Sequence, residues 1–375
     1  MEISQLKKVI EEYIEKMKGY EHTYLGFPNN MDYDYTEVSK SAHVYINNAG
    51  DPFSTLSWKK HSKHFEQEVV HFFLNIYKMP RKMGWGYITS GGTEGNMEGL
   101  FLAREAYPDA TIYYSEDSHY SIGKIIRLLR MKSQVVKSQL NGEIDYKDLN
   151  RLLIENKDKQ AIMLINCGTT VKGAFDNLST IKKLMKKNKI NKVYIHVDGA
   201  LSGMINPFIK KAPFYSFDKG IDSIAISLHK FLGVPMISGI VLVKKHHVEK
   251  VKTNVEYINS LDTTITGSRN GHSSLYSWYA IQKYGLDKFR LDAQKCLKNA
   301  KYLNFQLNNA GLISHLNDYS NTVYFTKPKP DLVEKWQLSC FGGICHAVVM
   351  QHVSKNKIDY FLRDMIKSHL KKDGE

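Results

Sequence analysis

The feature that most constrains this chain is a rhythm. From about residue 60 to residue 265, helical stretches such as 64–77 and 96–106 alternate with short apolar runs rich in β-branched residues. The runs lie at 111–114, 161–165, 193–197, 223–226 and 237–243. Runs that are apolar throughout, rather than at every second position, suit strands covered on both faces. Strands and helices in alternation predict an α/β fold with a mostly parallel sheet. Beyond residue 265 the pattern turns helical and then gives strand-like pieces at 322–325 and 346–349, predicting a smaller α+β part. Ahead of the rhythm, Leu6, Val9, Ile10, Tyr13, Ile14 and Met17 form one stripe of an amphipathic helix expected to stop at Gly19. A turn-rich aromatic arm, 24–35, follows without regular pattern. Three parts result: helix and arm over 1–55, a large domain over 56–265, and a small carboxyl-terminal domain over 266–375.

A chain of 375 residues suits one large two-part enzyme or two to three ordinary domains. With 42% apolar and 24% charged residues it is not disordered, collagenous or membrane-spanning. Its amino terminus carries charge at nearly every turn, so it reads neither as a signal peptide nor as a membrane anchor. Cys167, Cys296, Cys340 and Cys345 include no CxxC pair, so no disulfide framework or metal site is expected, and a reducing cytoplasm is the compartment. The net charge of +14 raises the non-enzymatic alternative of a basic nucleic-acid-binding protein. Yet the lysines are spread along the chain. The densest segment, 181–192, keeps Ile181, Leu184 and Met185 at helical spacing and reads as a solvated helix face, so no nucleic acid is expected as a partner. The positive field suits anionic small molecules.

Four local patterns carry chemistry. Ser227-Leu-His229-Lys230 directly follows the buried run 223–226, and Gly233 and Pro235 end the turn. A lysine leaving a strand is usually solvated. One held beside hydrogen-bonding neighbours at a strand end has a lowered pKa and can form a Schiff base. Val193-Tyr-Ile-His196-Val-Asp198-Gly-Ala200 is a strand ending in a carboxylate, which could bind a metal, take a proton or pair with a cation. No set of further ligands stands near it. His196 shares its strand face and is either a core histidine or a partner of Asp198. A lysine for a Schiff base and an aspartate for a pyridinium nitrogen are the pair that pyridoxal phosphate requires. Tyr87-Ile-Thr-Ser90-Gly91-Gly92-Thr93-Glu94-Gly95-Asn96 gives a short strand, glycines and a helix start near Thr93, either a phosphate cradle or a plain turn. It is neither a Walker loop nor a dinucleotide fingerprint. Asp117-Ser118-His119-Tyr-Ser121 follows the run 111–114. Asp117 or Ser118 is expected to cap a helix, while the His119 ring can stack on a planar cofactor.

Together these residues resemble the group II pyridoxal-phosphate decarboxylases of fold type I, the aspartate-aminotransferase-like fold. The likeness covers nearly the whole chain. It includes Ile46-Asn-Asn-Ala-Gly-Asp51, Trp85-Gly-Tyr-Ile88, Gly142-Glu-Ile-Asp145, Gly168-Thr-Thr-Val-Lys-Gly-Ala174 and Gly267-Ser-Arg-Asn-Gly-His272. Within the group the sequence is most similar to short bacterial histidine decarboxylases. Plant serine decarboxylases are nearly as similar, especially in Trp336-Gln-Leu338 and His346-Ala-Val-Val-Met350.

The resemblance implies a cytoplasmic decarboxylase of an L-amino acid, histidine before serine, that forms a homodimer. It implies that Lys230 carries pyridoxal 5'-phosphate, Asp198 keeps the ring nitrogen protonated, His119 stacks over the ring and Ala200 packs on its other face. Gly92, Thr93, Ser227 and His229 would hold the phosphate, and 267–272 would reach the phosphate of a second copy. The enzymatic alternative is an aminotransferase or lyase on the same fold, which Lys230 and Asp198 alone would serve equally. Two departures from the group's pattern, Leu228 for a smaller residue and Ala49 for a cysteine, are expected to reshape the substrate pocket. Tyr24, Phe27, Tyr33 and Tyr35 of the arm are expected either to line a ring-sized pocket or to pack in a dimer.

Overall fold

The computed structural model describes residues 1–156 and 159–370. Its centre is a seven-stranded sheet in the order β1-β7-β6-β5-β4-β2-β3. The strands are β1 (Gly84–Thr89), β2 (Thr111–Ser115), β3 (Ser133–Val136), β4 (Gln160–Asn166), β5 (Lys192–Asp198), β6 (Ser223–Ser227) and β7 (Gly239–Lys244). Only β7 runs antiparallel to its neighbours. The apolar runs are strands because both faces are covered: Met163 and Ile165 of β4 join one core, Ile162 and Leu164 another. Helices lie on both sides, and Lys63–Ile76 and Gly92–Ala106 pack on opposite faces. The lysine-rich segment is the helix Leu178–Lys187, with Ile181 and Met185 buried and its lysines outward, as the spacing predicts.

A short hairpin, β8 (Thr253–Val255) and β9 (Ser260–Asp262), leads to the helix Gly271–Asn309. That helix breaks at Gly285, whose φ of +68° is open to glycine at little cost. Tyr276, Ala280, Phe289 and Ala293 join the core of the large part, where the helix packs on Lys63–Ile76, whereas Ala300, Leu303 and Leu307 belong to a second core. This second core lies under a four-stranded antiparallel sheet, β10-β11-β13-β12. Its strands are β10 (Ser314–Leu316), β11 (Thr322–Thr326), β12 (Ser339–Phe341) and β13 (Ile344–Val348). The fold is thus α/β with a mostly parallel sheet and a smaller α+β part.

Three sequence expectations need correction. The first helix runs Ile3–Glu21 through Gly19, and none of its residues is buried, so its apolar stripe faces outward. Neither Asp117 nor Ser118 caps a helix: the helix Ser121–Leu128 starts after Tyr120, Asp117 pairs with Lys172 at 3.2 Å, and Ser118 accepts from Asn166. Cys340 and Cys345 face each other across β12 and β13 and form a disulfide. Spacing alone does not disclose that pairing, because the turn between the strands brings the two residues together. Among the described residues no helix is long and apolar enough to cross a membrane, and no cluster of side chains suits a metal.

The arm joins the two parts. Val348 N donates to Leu25 O and Gln337 to Tyr20 O, while Asn30 N donates to Lys230 O. Tyr33 stacks on Tyr284 at 3.9 Å, and the Tyr35 hydroxyl donates to Leu232 O.

Candidate active site

Parallel strands end their carboxyl sides along one edge, the usual place for a ligand in open α/β sheets. A cavity of about 480 Å³ lies there, between the strand ends, the arm and the small sheet. All eight residues singled out in the sequence line it: Gly92, Thr93, His119, Asp198, Ala200, Ser227, His229 and Lys230. Each lies at or just beyond the carboxyl end of β1, β2, β5 or β6. The far wall comes from Phe27 of the arm and Ser339, His346 and Val348 of the small sheet.

The floor is electrostatically asymmetric. Burial pushes the Lys230 amine below its ordinary value, and the Asp198 carboxylate opposes that shift. Asp198 is 7% exposed, with Oδ1 accepting from Ala200 N at 3.0 Å and Oδ2 from Asn96 Nδ2 at 2.9 Å. His119 lies half-buried, its Nδ1 2.7 Å from Ser121 Oγ, and burial again favours the neutral ring. His229 Nδ1 lies 2.7 Å from Ser238 O. A carbonyl only accepts, so Nδ1 directs a proton at Ser238 O and leaves the Nε2 edge to face the cavity.

Gly92 opens the helix Gly92–Ala106, which has no side-chain cap, so its first N–H groups are free to bind an anion. Glu94 stands in that first turn, but its carboxylate is engaged by Ser90 N, Ser90 Oγ and the Tyr87 hydroxyl. A Cβ on Gly92 would come within 2.8 Å of Ser227 Oγ and 3.0 Å of Ala200 Cβ, so the residue keeps a cradle open. These groups fit pyridoxal phosphate: free N–H groups and a hydroxyl for its phosphate, a buried carboxylate for its ring nitrogen, and a deprotonatable amine for its aldehyde.

Sequence reasoning missed Asn96 and Asn166, which also line the cavity. Asn96 stands inside the glycine-rich run, but nothing local shows that it reaches β5. Asn166 closes β4, and Asp176 holds it through Asn166 N at 2.7 Å and Nδ2 at 3.0 Å. Leu228 and Ala49 do not line the cavity: Leu228 turns into the main core and Ala49 is 5% exposed away from it. Of the four arm aromatics only Phe27 reaches it. The segment 267–272 does not line the cavity of its own chain.

The fold and this donor set are those of a pyridoxal-phosphate enzyme of fold type I. The chain matches the pyridoxal-dependent decarboxylase conserved domain over residues 62–317 and belongs to that family, whose members decarboxylate amino acids with this cofactor. It is 44% identical to serine decarboxylase 1 of Oryza sativa subsp. japonica over 344 residues, 91% of this chain and 71% of that one. It is 41% identical to the histidine decarboxylase of Morganella morganii over 345 residues, 91% of each chain. The L-methionine decarboxylase of Streptomyces sp. 590 superposes with a TM-score of 0.90 at 23% identity, covering 98% of this chain and 96% of that one, a likeness of fold.

Proposed function

We propose that the chain converts L-histidine to histamine and carbon dioxide. The observation that carries this reading is the far wall of the cavity, where the Phe27 ring stands with Ser339 and His346. Burial pushes His346 down to about 4, so it presents a neutral ring, and the wall offers an aromatic face with uncharged hydrogen-bonding groups. Such a wall suits a planar imidazole. A second reading, serine, is favoured by the 44% identity to a plant serine decarboxylase.

When bound, pyridoxal phosphate supplies a ring that accepts the electron pair left when the bond to the carboxylate breaks. Lys230, whose buried amine gives up its proton more readily than a solvated one, is the nucleophile that would hold the cofactor. Asp198 would keep positive charge on the ring nitrogen. His119 and Ala200 would confine the ring. Gly92, Thr93, Ser227 and His229 would hold the phosphate. The arm and small sheet would close the far side of the cavity over the substrate's side chain. A second copy of the chain would complete the enzyme, with the exposed residues Gly267, Ser268 and Asn270, which do not line the cavity of their own chain, reaching the site of the neighbour.

Steady-state release of carbon dioxide from histidine and from serine tests the substrate. A higher kcat/KM for histidine is expected, and a clear preference for serine would overturn it. Borohydride reduction of the loaded enzyme followed by peptide mapping is expected to label Lys230. A label on Lys172 would remove the assignment.

A further inference from the structure

Beneath the cavity a chain of buried polar side chains ends on Asp198. Ser223 Oγ lies 2.7 Å from His196 Nδ1, His196 Nε2 lies 2.9 Å from Asn96 Oδ1, and Asn96 Nδ2 lies 2.9 Å from Asp198 Oδ2. With Asp198 ionised, the direction of every bond follows. A carboxylate only accepts, so the Asn96 amide turns its N–H towards Asp198 and its oxygen towards His196. His196 must then carry its proton on Nε2, which leaves Nδ1 to accept from the Ser223 hydroxyl. Ser223 and His196 are wholly buried and Asn96 is 2% exposed. A neutral ring is what that burial dictates, since it pushes His196 down to about 3. Gly99, one of the helix residues facing β5, leaves the space: any Cβ there would overlap the His196 ring.

We propose that Ser223, His196 and Asn96 are positioning residues that hold Asp198 as an oriented anion and thereby keep the proton on the cofactor's ring nitrogen. The proposal rests on the pairing of Asp198 with that nitrogen. An N–H donated to a carboxylate oxygen lowers the oxygen's appetite for a proton, so a proton shared with a neighbouring nitrogen stays on the nitrogen. With Asp198 ionised every donor in the chain points towards it, and favouring its acid form would require the Asn96 amide, the His196 tautomer and the Ser223 hydroxyl all to turn together. Outer hydrogen-bond partners of metal-binding side chains change affinity or activity by about 10–100-fold, and an effect of that order is expected here.

The test uses the holoenzyme loaded with pyridoxal phosphate carrying ¹⁵N in its ring, whose nitrogen resonance separates the protonated from the unprotonated ring. In Asn96→Leu the resonance is expected to move towards the unprotonated position, with kcat falling about 10–100-fold and KM nearly unchanged. Ser223→Ala removes one buried oxygen at the far end and is expected to move the resonance the same way by less, which keeps the test open should Asn96→Leu not fold. A wild-type resonance in the folded variants would overturn the proposal. Asp198→Asn is the reference. If it leaves the resonance in place, the assignment of Asp198 itself fails; if it shifts the resonance while Asn96→Leu and Ser223→Ala do not, only the relay is lost.

Discussion

At Gly92 the site has no room for a methyl group, since its Cβ would meet Ser227 Oγ and Ala200 Cβ. Gly92→Ala is expected to weaken cofactor binding about 10-fold, equivalent to ~1.4 kcal/mol and within the range of overpacking costs. Titrating apoenzyme with pyridoxal phosphate and following its absorbance gives the affinity. Gly123→Ala is the control, because the nearest atom to its Cβ would be the Tyr114 hydroxyl at 4.0 Å, and it is expected to leave affinity unchanged. At this scale the sequence was informative wherever a residue's role follows from its place at a strand end, as for Asp198 and Lys230. It was uninformative where the role depends on a partner from another element. Asn96 reaches Asp198 only because Gly95 and Gly99 let their helix settle against Ala225 and His196. The side chain of Leu228 enters the core rather than the pocket because the chain turns into a short helix at that residue.

The helix Gly92–Ala106 also carries a buried acid with no part in the proposed chemistry. Glu98 is fully buried near Glu94, with the Tyr87 hydroxyl 3.4 Å away. Burial first, and the Glu94 charge second, push Glu98 up to about 8 from 4.5. Between those values the folded chain keeps a proton that the unfolded chain has lost, so stability declines as pH rises from 4.5 to 8. Glu98→Gln is expected to raise the melting temperature by several degrees at pH 8 and to leave it unchanged below pH 4.5. Melting curves across that range check it, and an equal shift at both ends would refute the account. His196 acts with the opposite sign: neutral when folded and charged when unfolded, it contributes stability above 6.5 that is lost as pH falls towards 3. Among elements, β2, β4, β5, β6 and β7 were legible because both faces are covered and their residues are apolar throughout. β3 was not, since this edge strand buries only Val136 and its sequence carries no such run. The Asp117 cap was misread because Lys172, from the distant 168–174 turn, claims the carboxylate.

For the molecule as a whole, the first helix is the outstanding debt, with Leu6, Val9, Ile10 and Tyr13 between 45% and 62% exposed. A second copy of the chain is the expected cover, consistent with segment 267–272 serving a neighbouring cavity. The double substitution Leu6→Glu and Ile10→Glu is expected to shift the enzyme from dimer to monomer in light scattering and to lower activity with it; an active monomer would contradict both. A different consequence follows from the arm. Leu25 of the arm bonds to Val348, and Tyr20 at the end of the first helix bonds to Gln337, joining opposite ends of the chain. A ribosome adding about 5–20 residues per second needs on the order of tens of seconds to supply β13 after the arm has been made. Throughout that interval the arm's carbonyls are bonded to water. The large sheet and the strand ends that hold the cofactor can be in place well before release, while the wall of Phe27, Ser339 and His346 cannot. The nascent chain therefore acquires its own share of the cofactor site before it acquires the wall that would choose a substrate.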